Sequence, residues 1–244
     1  MKNYRSVSAV LMLFLLWELM AVQTGNDIIM PYPGDVLSFM ASQLHSQTFY
    51  LSIGYTLMRA MFGLLWAFGV AVVCAWAAYR SKLFQDLFYP LLLFTRSVPN
   101  VSYIIIILLW FGREKSSAII TFLILFPIMY ANLYQGLQHI DRNLLNVIKI
   151  YPERKRYQIR KIYLPLLQSA VYASISSGLS LGFKVGVMAE ILGQAPVGVG
   201  RQMNLCKITM DMTGVFAWTG WIIVLLMILE GILSFIMKQK KKLA

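Results

Sequence analysis

Six long, mainly apolar runs constrain this chain more than any other feature: roughly residues 6–22, 53–79, 84–112, 116–136, 166–192 and 214–237. A helix needs about 20 predominantly apolar residues to cross the hydrocarbon core of a bilayer. Without water to satisfy backbone N–H and C=O groups, only helices and closed barrels span it. Runs of this length give helices. Composition agrees: the chain is 59% hydrophobic and 13% charged, where a soluble domain is about 45–50% apolar and about 25% charged. The expected fold class is all-α, a polytopic membrane protein of about six transmembrane helices. A single membrane domain is expected over 1–244, with a first helix at about 6–22 and a core at about 53–237. The first run follows Lys2 and Arg5 as a signal peptide would. It contains Trp17 and Glu18 and no small-residue cleavage site follows, so it reads as a retained helix.

The third run is interrupted by Arg96, Ser97, Val98, Pro99 and Asn100. Proline lacks an amide hydrogen and clashes with the preceding turn. The break there must be covered by protein or water.

The net charge of +12 would raise nucleic-acid binding in a soluble protein. Here the basic residues gather at the ends of the apolar runs, so orientation in the membrane explains them and no nucleic-acid partner is expected. Lysine and arginine concentrate on the cytoplasmic side. With the N-terminus inside, the inner segments hold Lys2, Arg5, Arg80, Lys82, Arg142, Lys149, Arg154, Lys155, Arg156, Arg160, Lys161, Lys238, Lys240, Lys241 and Lys242, fifteen of the 22 basic residues. The outer segments hold four, Arg113, Lys115, Arg201 and Lys207. That bias favours both termini on the cytoplasmic side of a plasma membrane. Residues 23–52 carry no lysine or arginine and include Pro31, Pro33 and Gly34, which reads as an outer turn leading into a short amphipathic helix. The Lys238–Lys242 tail reads as an anchor near anionic lipid. Cys74 and Cys206 fit neither a disulfide framework nor a metal-ligand spacing and are read as unpaired. No metal or cofactor is implied.

Residues 137–165 form the largest inner loop. Apolar residues recur at helical spacing on both sides of Tyr151 and Pro152. Proline biases its predecessor away from helical dihedrals and suits the first turn of a new helix. The loop therefore reads as two short helices meeting at an angle. Arg154, Lys155 and Arg156 open the second, where the helix dipole disfavours cations. These residues alone fit both a basic membrane-surface hairpin and a docking site for a partner.

The loop closes on Ile162, Tyr163, Leu164 and Pro165, which resembles the end of the cytoplasmic coupling loop of ABC importer permeases. Counting back, Asn146-Val147-Ile148 stands where that family has Glu-Ala-Ala, and Pro152 where it has glycine. Asparagine cannot make the carboxylate's ion pair, and proline makes a stiffer turn. Other stretches resemble the branch of permeases for nitrate, aliphatic sulfonates and taurine. They are Leu16-Trp17-Glu18-Leu19, Met30 through Val36, Phe94 through Pro99, Leu109-Trp110-Phe111-Gly112, Phe126-Pro127-Ile128, Gly136-Leu137 and Met188 through Gly193. No single piece is specific; the ordered set, covering roughly 17–237, is. The resemblance implies the type I importer permease fold. It also implies a second permease, either a second copy forming a homodimer or a close relative, with cytoplasmic ABC ATPase subunits beneath and an extracytoplasmic solute-binding protein that delivers a small solute. It makes the inner loop a coupling helix seated in the ATPase, with Asn146, Tyr151, Pro152, Glu153, Arg154, Lys155 and Arg156 as the contact.

Ionisable residues inside spans are expensive and so are functional candidates. Arg96, with Ser97 and Asn100 at the break, reads either as a path-lining group or tie, or as a side chain snorkelling to the inner face. Arg59 reads as snorkelling to the outer face. Lys184 lies well within the fifth run, where the branch tends to have an aromatic. Ser177 and Ser180 on the same run permit close helix packing or a polar path, at equal odds. Glu190 closes that run as either a structural ion pair or a gate. Arg59, Arg96 and Lys184 against Glu18 and Glu230 leave one excess positive charge in the spans, mildly favourable to an anion.

Two other classes compete. A secondary transporter would show an inverted repeat of broken helices and a carboxylate relay, and neither is present. An intramembrane enzyme would need more than Ser177-Gly178, and His45 and His139 both fall outside the spans, so no triad can be assembled. No phosphate-cradling glycine loop with its lysine occurs. ATP hydrolysis is expected in a separate subunit.

Overall fold

The computed structural model describes residues 2–141 and 154–242, with the side chains of 2–7, 96, 155 and 238–242 outside the described set. Helix α1 (Lys2–Thr24) and α2 (Pro33–Gln43) are joined by a polar turn. Proline at the start of α2 needs no amide partner, and Asp35 in its first turn suits the dipole. A short helix is thus present where the sequence leads one to expect it, starting at Pro33. The Trp17 indole donates to the Pro31 carbonyl at 3.1 Å and stacks on Phe216 at 5.5 Å, tying α1 to the last helix.

Helix α3 (Gln47–Arg80) runs directly into α4 (Lys82–Ser97), with Ser81 capping α4 by accepting from the Phe84 amide. Helix α4 ends as Val98 turns extended ahead of Pro99. The break foreseen between Arg96 and Asn100 therefore falls at Val98–Pro99. The Tyr103 hydroxyl braces it, donating to the Thr95 carbonyl at 2.7 Å.

Helix α5 (Asn100–Gln138) is interrupted at Gly112, whose φ of 71° and ψ of −179° no L-side chain adopts comfortably. Ile104 and Ile107, before the glycine, pack in one cluster with Ile120 and Ile124, after it. Sixteen residues of straight helix would hold Ile104 and Ile120 about 24 Å apart. The chain therefore folds back at Gly112 into two arms, 100–111 and 113–138. Ser116 donates its hydroxyl to the carbonyls of Ile107, at 3.2 Å, and of Gly112, quenching acceptors that the reversal would orphan.

A short helical stretch, Lys155–Gln158, widens to a π-helical turn over Ile159–Tyr163 and returns to α at Leu164–Leu166. It leads into α6 (Gln168–Leu192). Helices α7 (Val199–Ile208) and α8 (Met212–Lys242) complete the chain.

Among the described residues, four helices are long and apolar enough to cross a membrane by length and composition: Gln47–Arg80, Asn100–Gln138, Gln168–Leu192 and Met212–Met237, with Ser8–Thr24 a shorter apolar helix. All six expected runs are helical, but the third is not one span. It is divided between amphipathic α4 and the first arm of α5, because Pro99 ends one helix before the other starts.

The core is α3, the second arm of α5 and α6. Ala60, Gly63, Ala67, Ala71, Ala75 and Ala78 recur at three- or four-residue spacing on α3, all buried. Two backbones meet closely there: a Cβ on Gly63 would stand 2.6 Å from the Ala118 carbonyl oxygen. Nearer the C-terminal end of α5, a Cβ on Gly136 would stand 2.5 Å from that of Ala170 on α6. Between membrane helices, where lipid is as apolar as leucine, such close packing is a main source of association.

Candidate functional site

Three places hold the polar groups that the sequence singles out. The first is the interior at the C-terminal end of α6. Glu190 is fully buried. Its carboxylate receives the Thr56 hydroxyl at 2.8 Å, the Gly200 amide at 3.1 Å and the Arg59 guanidinium at 3.0 Å. Arg59 also donates to the Val197 carbonyl at 2.6 Å, and the Thr56 hydroxyl accepts from the Val199 amide at 2.9 Å. The Glu190 carbonyl accepts from Ala195 at 3.0 Å. Two side chains of α3 and one of α6 thus clasp the loop between α6 and α7. Gly198, at φ 146°, brings its backbone so close that a Cβ would run into the Glu190 carboxylate. Of the two readings open for Glu190, this is the ion pair, and Glu190 lines no open surface.

Arg59 corrects an expectation. Its side chain is 10% exposed and ion-paired, so it does not snorkel to the outer face. Thr56 was missed altogether. The signal for the pair was present: under the inferred orientation, an arginine near the outer end of the second run and a glutamate at the outer end of the fifth lie at similar depth with opposite charge.

The second place is an exposed face of α6. Ser177 and Lys184 are exposed and Ser180 half-buried, and their spacing puts all three on one side of the helix. Gly178, Gly182 and Gly186 lie on the opposite, buried side. The small residues thus divide between the two roles left open for them, glycines packing and serines facing outward. Ser177 donates to the Ala173 carbonyl at 2.7 Å. Ser180 donates to Glu230 of α8, a partner the sequence could not name. Glu18 is exposed on α1.

The third is the α4–α5 junction. The Ser97 hydroxyl is spent on its own helix, donating to the Leu93 carbonyl at 2.8 Å, and Asn100 is exposed at the start of α5. The Arg96 side chain lies outside the described residues. The path candidates therefore do not form one site: Ser177, Ser180 and Lys184 share a face, Ser97 and Asn100 sit at a helix junction, and Glu190 is interior.

Of the coupling-loop candidates, Asn146, Tyr151, Pro152 and Glu153 lie outside the described residues, as does the Lys155 side chain. Arg154 and Arg156 are exposed. The segment they open is anchored to the core by Tyr163, whose ring meets Trp76 edge-on at 5.1 Å, and Arg80 lies 5.7 Å from the same indole. Both cysteines are free thiols. On α7, burial and the nearby Asp211 carboxylate push the Cys206 thiol up from its ordinary value.

Four helices long and apolar enough to cross a bilayer, packed around a shared core, define a multi-pass membrane protein. Residues 67–239, well over half the chain, match the binding-protein-dependent transport system inner membrane component family, and the chain belongs to it. It is an ABC-type transport permease component. It is 25% identical over 230 residues to the formylaminopyrimidine transport permease protein ThiX of Halalkalibacterium halodurans, covering 92% of this chain and 88% of that one. Over 177 residues it is 25% identical to the putative aliphatic sulfonates transport permease protein SsuC of Bacillus subtilis, covering 70% and 62%. It is 24% identical over 233 residues to the riboflavin transport system permease protein RibX of Chloroflexus aurantiacus, covering 92% and 85%.

Proposed function

We propose that this chain forms the translocation path of an ATP-driven uptake system and moves a small, acid-bearing solute delivered by an external binding protein. Two copies assemble side by side, both termini face the cytoplasm, and separate ABC ATPase subunits bind beneath. The solute passes along the exposed face of α6. The observation that carries this reading is Lys184, a cation exposed well inside a span. Such a group is expensive against hydrocarbon and is tolerated where it faces water or a partner. The names of the similar permeases span a sulfonate, a pyrimidine and a flavin, so the solute is argued from charge, not from kinship.

Coupling to the ATPase runs through the inner loop, with Asn146, Tyr151, Pro152, Glu153, Arg154, Lys155 and Arg156 as the contact. A rigid elbow tied to the core through Tyr163 and Trp76 can pass a nucleotide-driven rigid-body motion into the membrane. Reversing two exposed charges, R154E with R156E, tests it. At about 1 kcal/mol each the pair weakens ATPase binding roughly thirtyfold. The ATPase is then lost when the permease is purified, and ATP-driven uptake falls with it. Full uptake by a variant that retains no ATPase would return the chain to the secondary transporters.

A further inference from the structure

Lys184 makes no hydrogen bond or ion pair with any described residue, although the helix continues to Leu192, about 12 Å farther toward the outer side. One turn inward on the same face, Ser180 donates to Glu230, itself exposed on α8. A further turn inward is Ser177. The face therefore carries a cation toward the outer side and an anion toward the inner side, within reach of one small molecule. The two charges form no ion pair with each other. Ser180 occupies only part of what the Glu230 carboxylate can accept, since two oxygens offer about four lone-pair sites.

We propose that Lys184 and Glu230 are the specificity-determining residues of the path. Lys184 receives the acid group of the solute, and Glu230, one turn deeper, accepts from its N–H or O–H donors. The solute class is a small molecule bearing both an acid group and a hydrogen-bond donor about one helical turn away. This rests on the reading of the α6 face as the path.

The charge order can be read without knowing the solute. The assembled transporter, carrying C74A and C206A, receives M188C, one turn outward of Lys184, or S177C, inward of Glu230. Each is treated in membranes with an anionic sulfonatoethyl and a cationic trimethylammonioethyl methanethiosulfonate, with rates normalised to a free thiol. M188C is expected to favour the anionic reagent about tenfold and S177C the cationic one about tenfold. K184Q removes the first preference and E230Q the second. Should a reporter fail to reach the membrane, I191C and A173C occupy neighbouring turns of the same face. If both reporters react with no charge order, the path stands and the assignment of Lys184 and Glu230 falls. If neither reacts with either reagent, the face is closed to water, and the path reading falls and takes this one with it.

Discussion

Glu190 is the most densely partnered side chain described, and each of its partners is buried enough to matter singly. Removing one member of a buried ion pair leaves an uncompensated charge and costs about 3–5 kcal/mol. R59M does this and also orphans the Val197 carbonyl. T56V removes a hydroxyl that both donates to Glu190 and accepts from Val199, at about 1–3 kcal/mol for each group left without a partner. Both variants are expected to lower the thermal midpoint of the detergent-solubilised protein, R59M more than T56V, and to open the α6–α7 loop to proteolysis. An R59M protein as stable as the parent would mean that the arginine does snorkel. The individual charges and their similar depth were legible in the sequence, but the contact between their helices was not. Pairing depends on which helices touch, and a period of 3.6 within one helix says nothing about its neighbour. The same holds for the Ala60–Ala78 stripe: its spacing was readable, yet only the packed structure shows that it faces α5.

At the scale of elements, helix ends came through the sequence better than helix paths. Pro99 is a local signal with a local effect, and α4 ends two residues before it, at Ser97. The reversal at Gly112 is different in kind. Glycine permits φ 71° but does not require it, so the residue marks where a fold-back is cheap, and the apolar cluster beyond it decides whether one occurs. Cysteines at Ile104 and Ile120, in a background without Cys74 and Cys206, test the hairpin. A straight helix would hold them about 24 Å apart, whereas the folded pair lies within one cluster and is expected to be joined by a short thiol crosslinker. Absence of crosslinking in membranes, with both single variants reactive, would unfold the hairpin into a continuous span. G112A, with a β-carbon in a backbone region nearly confined to glycine, is expected to lower the yield of the crosslink.

The whole molecule is held together unevenly. The second arm of α5 buries Ile120, Leu125, Met129 and Leu133, whereas α8 leaves Ile223, Met227, Ile228, Ile232 and Phe235 exposed. The second arm of α5 is thus a core element, while α8 leaves its apolar sides uncovered by the rest of the described chain. That inequality follows from the medium. Lipid offers a methylene as good a neighbour as protein does, so a membrane helix need not bury its apolar faces to be stable, and hydropathy cannot distinguish the two fates. Charge distinguishes the two sides of the membrane instead. The proposed orientation rests on the fifteen-to-four excess of basic residues on one set of loops, with α7 outside and the segment after Lys155 inside. K207C is then expected to react with an impermeant maleimide added to intact cells, and R160C only after the membrane is opened. Both native positions are exposed, so neither substitution disturbs packing. The converse pattern would invert the molecule, setting the exposed arginines at 154 and 156 on the side where no ATP is available and breaking the link between the α6 face and any nucleotide-driven motor.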